Sequence, residues 1–158
     1  MERPQKLVSE SYTEQVQILF QGTMNGYNRL FGGQLMEWID VVAAVSARRH
    51  CGKNVTTAVV DSLQFKEAAY VNDTVVLRAH VTYAGKTSME VCVKTYTEGL
   101  DETRKLINTA YVVMVAIDEN GKPTEVPLIK PETEEEIQEY EAAKKRNELR
   151  KMRREENF

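Results

Sequence analysis

Residues Gln34–His50 read QLMEWIDVVAAVSARRH, and this stretch decides the fold. Leu35, Ile39, Val42, Ser46 and Arg49 recur at the spacing of one helix face. Met36, Trp38, Val41, Ala43, Ala44, Val45 and Ala47 spread apolar surface over the other faces. A helix apolar nearly all round is predicted to be buried on most sides rather than laid on a surface. Cys51-Gly52 supplies its stop.

Outward from this helix the period changes to two. On the N-terminal side, Ser11–Phe20 alternates Tyr12, Glu14, Val16, Ile18 and Phe20 with more polar neighbours, which predicts a half-buried strand. Gln21–Gly33 is a loop of turn formers: Gly22, Asn25, Gly26, Asn28 and Gly32-Gly33. On the C-terminal side, four β-rich segments follow: Val55–Phe65, Asp73–Tyr83, Thr87–Tyr96 and Arg104–Ile117. In the first, Val55, Thr57, Val59, Asp61, Leu63 and Phe65 are expected on one face. Turn residues at Ala84-Gly85-Lys86 and Gly99–Glu102 make neighbours antiparallel. The expected class is α+β: one central helix against a five-stranded antiparallel sheet. One helix cannot cover both faces of such a sheet, so pairing of two copies is expected.

The ends are polar. Residues 1–6 read as a disordered start without a signal-peptide core. From Glu132 the tail is a charged helix. Glu132–Glu141 holds six glutamates and Lys144–Arg154 seven basic residues, an order that suits the helix dipole. It reads as a solvated, partly frayed helix or, more sharply, as a basic clamp for phosphates. The expected division is residues 1–130 as the domain and 131–158 as this tail.

The chain has 158 residues, 42% hydrophobic and 28% charged, with net charge −3, which fits one globular domain. No broad positive field is available for nucleic acid. The longest apolar run, Val41–Val45, is too short for a bilayer, so a cytoplasmic protein with no membrane partner is expected. Cys51 and Cys92 form no framework and are expected reduced. His50 and His80 lack partners at ligand spacing, so no metal site is expected.

The chemistry is expected in Asn25–Asp40, NGYNRLFGGQLMEWID. Gly32-Gly33 at a helix mouth lets a ligand approach the backbone. Free first-turn N–H groups near Gly33 with the dipole behind them can hold an oxyanion. Asp40 lies mid-helix, where its propensity is poor and an ionised group is costly without a partner or a task. It is a candidate general base or nucleophile. Asn25 offers an amide to orient a water or a carbonyl. Each also has a plainer reading: a tight turn, a hydrogen-bonded helix Asp, a turn Asn.

The stretch Asn25…Phe31-Gly32-Gly33-x-Leu35-Met36-x-Trp38-Ile39-Asp40 resembles the N-x5-(F/H)-G-G-x-(L/I)-M-x-W-(I/M)-D signature of hotdog-fold acyl-CoA hydrolases. Ala47-Arg48-Arg49-His50 resembles that family's helix end. Val60-Asp61-x3-Phe65, Asn72-Asp73 and Gly85-Lys86-Thr87-Ser88-Met89-Glu90-Val91 resemble its later segments, in the same order. The similarity spans roughly Tyr12 to Pro127. It implies a hotdog fold, a long helix wrapped by an antiparallel sheet, and hydrolysis of fatty acyl-CoA to free acid and CoA without cofactor or metal. It further implies a homo-oligomer, a dimer or a hexamer as trimer of dimers, in which Asn25 and Asp40 meet from opposite subunits. Lys86, Thr87, Ser88, Arg49 and His50 are implied to contact CoA. Asn28 stands where the family usually has Gly, and Asn is the non-Gly residue that best tolerates the left-handed conformation; Ala68 and Asn72, in place of the usual Pro and Gly, read as turn adjustments. Arg29 is bulkier than the usual residue and bears on chain-length preference.

Two other readings are open at this stage. A hotdog dehydratase or hydratase generally needs a poised His, and neither the loop nor the helix around Asp40 contains one. A non-catalytic acyl-CoA-binding protein would not require both Asn25 and Asp40.

Overall fold

The predicted central helix runs from Gly32 to Cys51 (α1) in a computed structural model that describes residues 2–158. Gly52 closes it at φ 66°, the left-handed cap expected from the sequence. Leu35, Ile39, Val42, Ala43, Ser46 and Ala47 are its buried face. Each fully buried Leu, Ile or Val contributes about 1.5–3 kcal/mol.

The strands are β1 (Gln5–Leu7), β2 (Thr13–Ile18), β3 (Asn54–Phe65), β4 (Thr74–Ala84), β5 (Ser88–Glu98), β6 (Arg104–Ile117) and β7 (Leu128–Lys130). Five form an antiparallel sheet in the order β2-β4-β5-β6-β3. The inner face carries Val75, Leu77 and Val81 of β4, Met89, Val91 and Val93 of β5, and Ala110, Val112 and Met114 of β6. These residues pack with α1 in one core, the long helix wrapped by a sheet that the family resemblance implies. Ser11 ties the layers together: its carbonyl accepts from Ser46 Oγ at 2.7 Å, and its hydroxyl oxygen accepts from the Val81 N–H at 2.9 Å.

Three expectations are corrected. The N-terminus is not a loose start. Gln5–Leu7 pairs in parallel with Leu128–Lys130, and Arg3 Nε donates to Val126 O at 2.6 Å. This pairing joins residues more than a hundred positions apart, which local pattern cannot show. Second, β3 does not keep one face. A bulge between Thr57 and Val59 sets Thr57 opposite Met114 on the inner side and Val59 opposite Val113 on the outer side. Third, the tail helix, α2 (Glu134–Glu156), is not left in solvent. It starts in a capping box between Thr133 and Glu136, lies on the sheet face opposite α1, buries Ala143 fully and sets Tyr140 against Tyr83 at 5.6 Å.

Candidate active site

The loop before α1 is built by backbone pairing. Asn25 N–H donates to Arg29 O at 2.7 Å, and Met24 bridges Leu30. Asn25 Oδ1 accepts from the N–H groups of Tyr27 (2.9 Å) and Arg29 (3.2 Å), holding the loop as an Asx turn. Asn28 takes φ 59° and Asn72 φ 74°, the left-handed positions at which the family usually carries Gly. The side chain of Asn25 is thus exposed, with its Oδ1 oriented by the turn.

α1 opens without a capping side chain, since its N-cap is Phe31. Gln34 and Leu35 both donate to Phe31 O, so the amides of Gly32 and Gly33 precede the first bonded turn. The glycines also have a packing reason that sequence did not reveal. A Cβ on Gly33 would meet Phe31 Cε1 at 3.0 Å, and one on Gly32 would meet Phe65 Cζ at 3.3 Å.

Asp40 lies two turns further along α1, partly buried. Thr57 Oγ1 donates to Asp40 Oδ1 at 2.6 Å, while the same oxygen lies 3.5 Å from Met114 Sδ. The carboxylate is therefore held in one rotamer with its second oxygen free of protein partners among the described residues. Thr57 was missed at the sequence level. Its contact depends on the β3 bulge and the β3–β6 register, neither of which has a local signal. Asn25 and Asp40 share no hydrogen bond within one chain.

Lys86, Thr87 and Ser88 form the β4–β5 turn, closed by Gly85 N–H donating to Ser88 O at 2.8 Å. All three line a cavity of about 570 Å³ between the outer sheet face and α2. Val59, Val113, Val115 and Tyr83 give its floor; Arg150, Lys151, Arg153 and Arg154 give the facing basic rim. The tail's clamp-like half thus stands opposite Lys86.

The other two expected CoA contacts lie elsewhere. His50 is 0% exposed, and its Nε2 lies 2.7 Å from Pro127 O. Burial holds the imidazole below its ordinary pKa, against a smaller upward pull from Pro127 O. It is a neutral core histidine, donating to Pro127 O, and is not available to a ligand. Arg49 is exposed but committed, donating to Tyr12 O at 2.7 Å and Thr13 Oγ1 at 3.2 Å, and it does not line the cavity of Lys86. Both sit at the far end of α1, where helical spacing alone cannot say which way a side chain points.

Comparison with known proteins bears on what this arrangement serves. A family described as the thioesterase superfamily matches residues 27–103. An uncharacterized acyl-CoA thioester hydrolase of Bacillus subtilis, YkhA, is 42% identical over 156 residues, covering 98% of this chain and 91% of that protein. The acyl-CoA hydrolase of Staphylococcus aureus, solved with butyryl coenzyme A, coenzyme A and coenzyme A disulfide, superposes with TM-score 0.93 at 37% identity, covering 98% of this chain and 94% of that one. A structure of an apo-hexameric acyl-CoA thioesterase superposes with TM-score 0.91 at 40% identity, covering 95% and 97%.

Proposed function

We propose, from the premise that this chain belongs to the thioesterase superfamily and to its acyl-CoA thioester hydrolases, that it hydrolyses fatty acyl-CoA to the free acid and CoA. The observation that carries the site assignment is Asp40, a half-buried carboxylate oriented by Thr57 and open on one oxygen. On this reading Asp40 takes a proton from water as the water oxygen bonds to the thioester carbon. The amides at Gly32 and Gly33 hold the oxyanion, collapse of the adduct breaks the C–S bond, and the thiolate leaves and takes the proton back. Asn25 orients the attacking water or the carbonyl. Carboxylate, water and amides suffice for these steps, so no cofactor is invoked. The cytosol is the proposed place of action.

The resemblance to hotdog acyl-CoA hydrolases implies a site shared between two copies of the chain. Asn25 and Asp40 share no hydrogen bond within one chain, and on this reading Asp40 of one subunit serves with Asn25 and Gly33 of another. The edge strand β3, which leaves Val59, Val60 and Phe65 exposed, and the α1 flank with Met36 and Val41 offer the surface for that second copy. A hexamer as trimer of dimers is the assembly we favour.

Residues 1–130 carry this chemistry, and residues 131–158 supply a wall for the CoA end. The nucleotide of CoA, with its phosphates, fits the cavity between Lys86, Thr87, Ser88 and the basic half of α2. A dehydratase reading is disfavoured by its missing histidine: His50 is enclosed in the core, and His80 pairs with Glu139 on the outer face. The test is release of free thiol from a series of acyl-CoA esters. Thiol release that is lost in Asp40→Asn supports the reading; no release above spontaneous hydrolysis at any chain length overturns it.

A further inference from the structure

The basic rim belongs to a helix with little apolar surface to seat it. α2 buries only Ala143 and Glu136, with Tyr140 packed against the core. Greasy contact alone does not define how such a helix is rotated about its axis or how far it slides along the sheet. Directional contacts do so instead: the acidic half is held by Glu139 to His80 and by Glu136 to Tyr12, and the basic half by Glu90 of β5, which is 2% exposed beneath α2.

The Glu90 carboxylate accepts four hydrogen bonds. Thr82 Oγ1 reaches Oε1 at 2.6 Å, Arg146 forks onto it through Nε (3.0 Å) and Nη2 (2.8 Å), and Arg150 Nη2 reaches Oε2 at 2.6 Å. The Arg146 guanidinium also lies 3.7 Å from the centre of the Tyr111 ring. Arg150 then passes the connection on. Its Nε donates to Asp61 Oδ2 at 3.1 Å, and Arg153 Nη1 lies 3.9 Å from Asp61 Oδ1. The chain of contacts runs β4, β5, α2, β3. Planar guanidinium forks hold such geometry far better than single ammonium contacts do. The cavity lining that results has one carboxylate, Asp61, facing Lys86, Arg150, Lys151, Arg153 and Arg154.

We propose that Glu90 is a positioning residue for acyl-CoA binding: by holding Arg146 and Arg150 it sets the place of the α2 wall, and thereby of Lys151, Arg153 and Arg154, over the Lys86 turn. It touches neither substrate nor reacting atoms. A buried ion pair can define an arrangement while adding little net stability, which is the use made of it here. The proposal rests on the reading of this cavity as the nucleotide site.

The experiment is steady-state kinetics with acyl-CoA and with the matching acyl-pantetheine, which lacks the nucleotide. Glu90→Gln should raise KM for acyl-CoA by roughly 5- to 20-fold, leave kcat within about twofold, and leave acyl-pantetheine unaffected. Should Glu90→Gln fail to fold, Arg146→Lys keeps the charge but removes the fork onto Glu90 at a residue that does not line the cavity, and should shift the same KM in the same direction. Lys151→Ala and Arg154→Ala test the site itself. If these two raise KM for acyl-CoA alone while Glu90→Gln and Arg146→Lys do not, the role of Glu90 is overturned and the nucleotide site stands. If none of the four variants separates the two substrates, the nucleotide site fails. Equal losses of kcat on both substrates in Glu90→Gln also overturn the proposal, since that is the signature of general damage.

Discussion

Asp40, Thr57 and His50 show what single side chains do here. Asp40→Asn keeps shape and the bond from Thr57 but loses basicity, so turnover should fall by ~10²-fold or more in a folded protein. Thr57→Val, which removes the 2.6 Å donor, should cost about tenfold in kcat with little change in KM. Near-wild-type kcat in both variants would remove Asp40 from the chemistry. His50 makes a different prediction. Its folded-state pKa is lowered by burial, so below the ordinary value near 6.5 the unfolded chain takes up a proton that the folded chain refuses. Its contribution is therefore complete above that pH and lost as pH falls through the window beneath it. Melting temperature should drop from pH 7.5 to 5.5, and drop less in His50→Gln, whose amide can still donate to Pro127 O. Equal slopes in the two proteins would show that another group governs the loss.

Among the elements, α1 was legible and α2 was half legible. The α1 pattern repeats every turn, and its glycine stop has no competing reading. The acid-first, base-last order of α2 gave a helix and a basic face, but not the surface that face meets. That surface exists only once β5 presents Glu90 and β3 presents Asp61, the latter because the bulge near Ala58 turns Asp61 outward. The β4–β5 turn tests the clamp between these elements. Lys86→Ala should raise KM for acyl-CoA more than it lowers kcat, and should leave acyl-pantetheine unchanged. Equal weakening of both substrates would mean that Lys86 does not read the nucleotide.

For the whole molecule, the decisive feature is an incomplete surface. β3 is a twelve-residue edge strand with apolar side chains in the open, a pattern that isolated proteins avoid. Val60→Asp should block pairing there, giving a monomer by sedimentation whose turnover is lost together with assembly. A monomer that keeps full activity would place the whole site within one chain. Complementation gives the converse test. Asn25→Ala and Asp40→Asn are each expected to be nearly inactive. After subunit exchange, about a quarter of sites in random dimers should carry both groups intact and regain turnover. No recovery after verified exchange would argue against a shared site.

By itself the sequence determined what repeats or is local: the buried helix and its cap, the alternating strands, the left-handed tolerance of Asn28, and the unusual carboxylate at Asp40. These follow from backbone sterics and from periodicity over a few residues. Tertiary structure alone decided the rest: that Thr57 orients Asp40, that His50 is enclosed while Lys86 faces the basic half of α2, and that the N-terminus pairs with Leu128–Lys130. Each of these depends on register and bulges between distant segments. A one-residue slip turns a side chain to the opposite face of a sheet, and no local stretch of sequence carries that information.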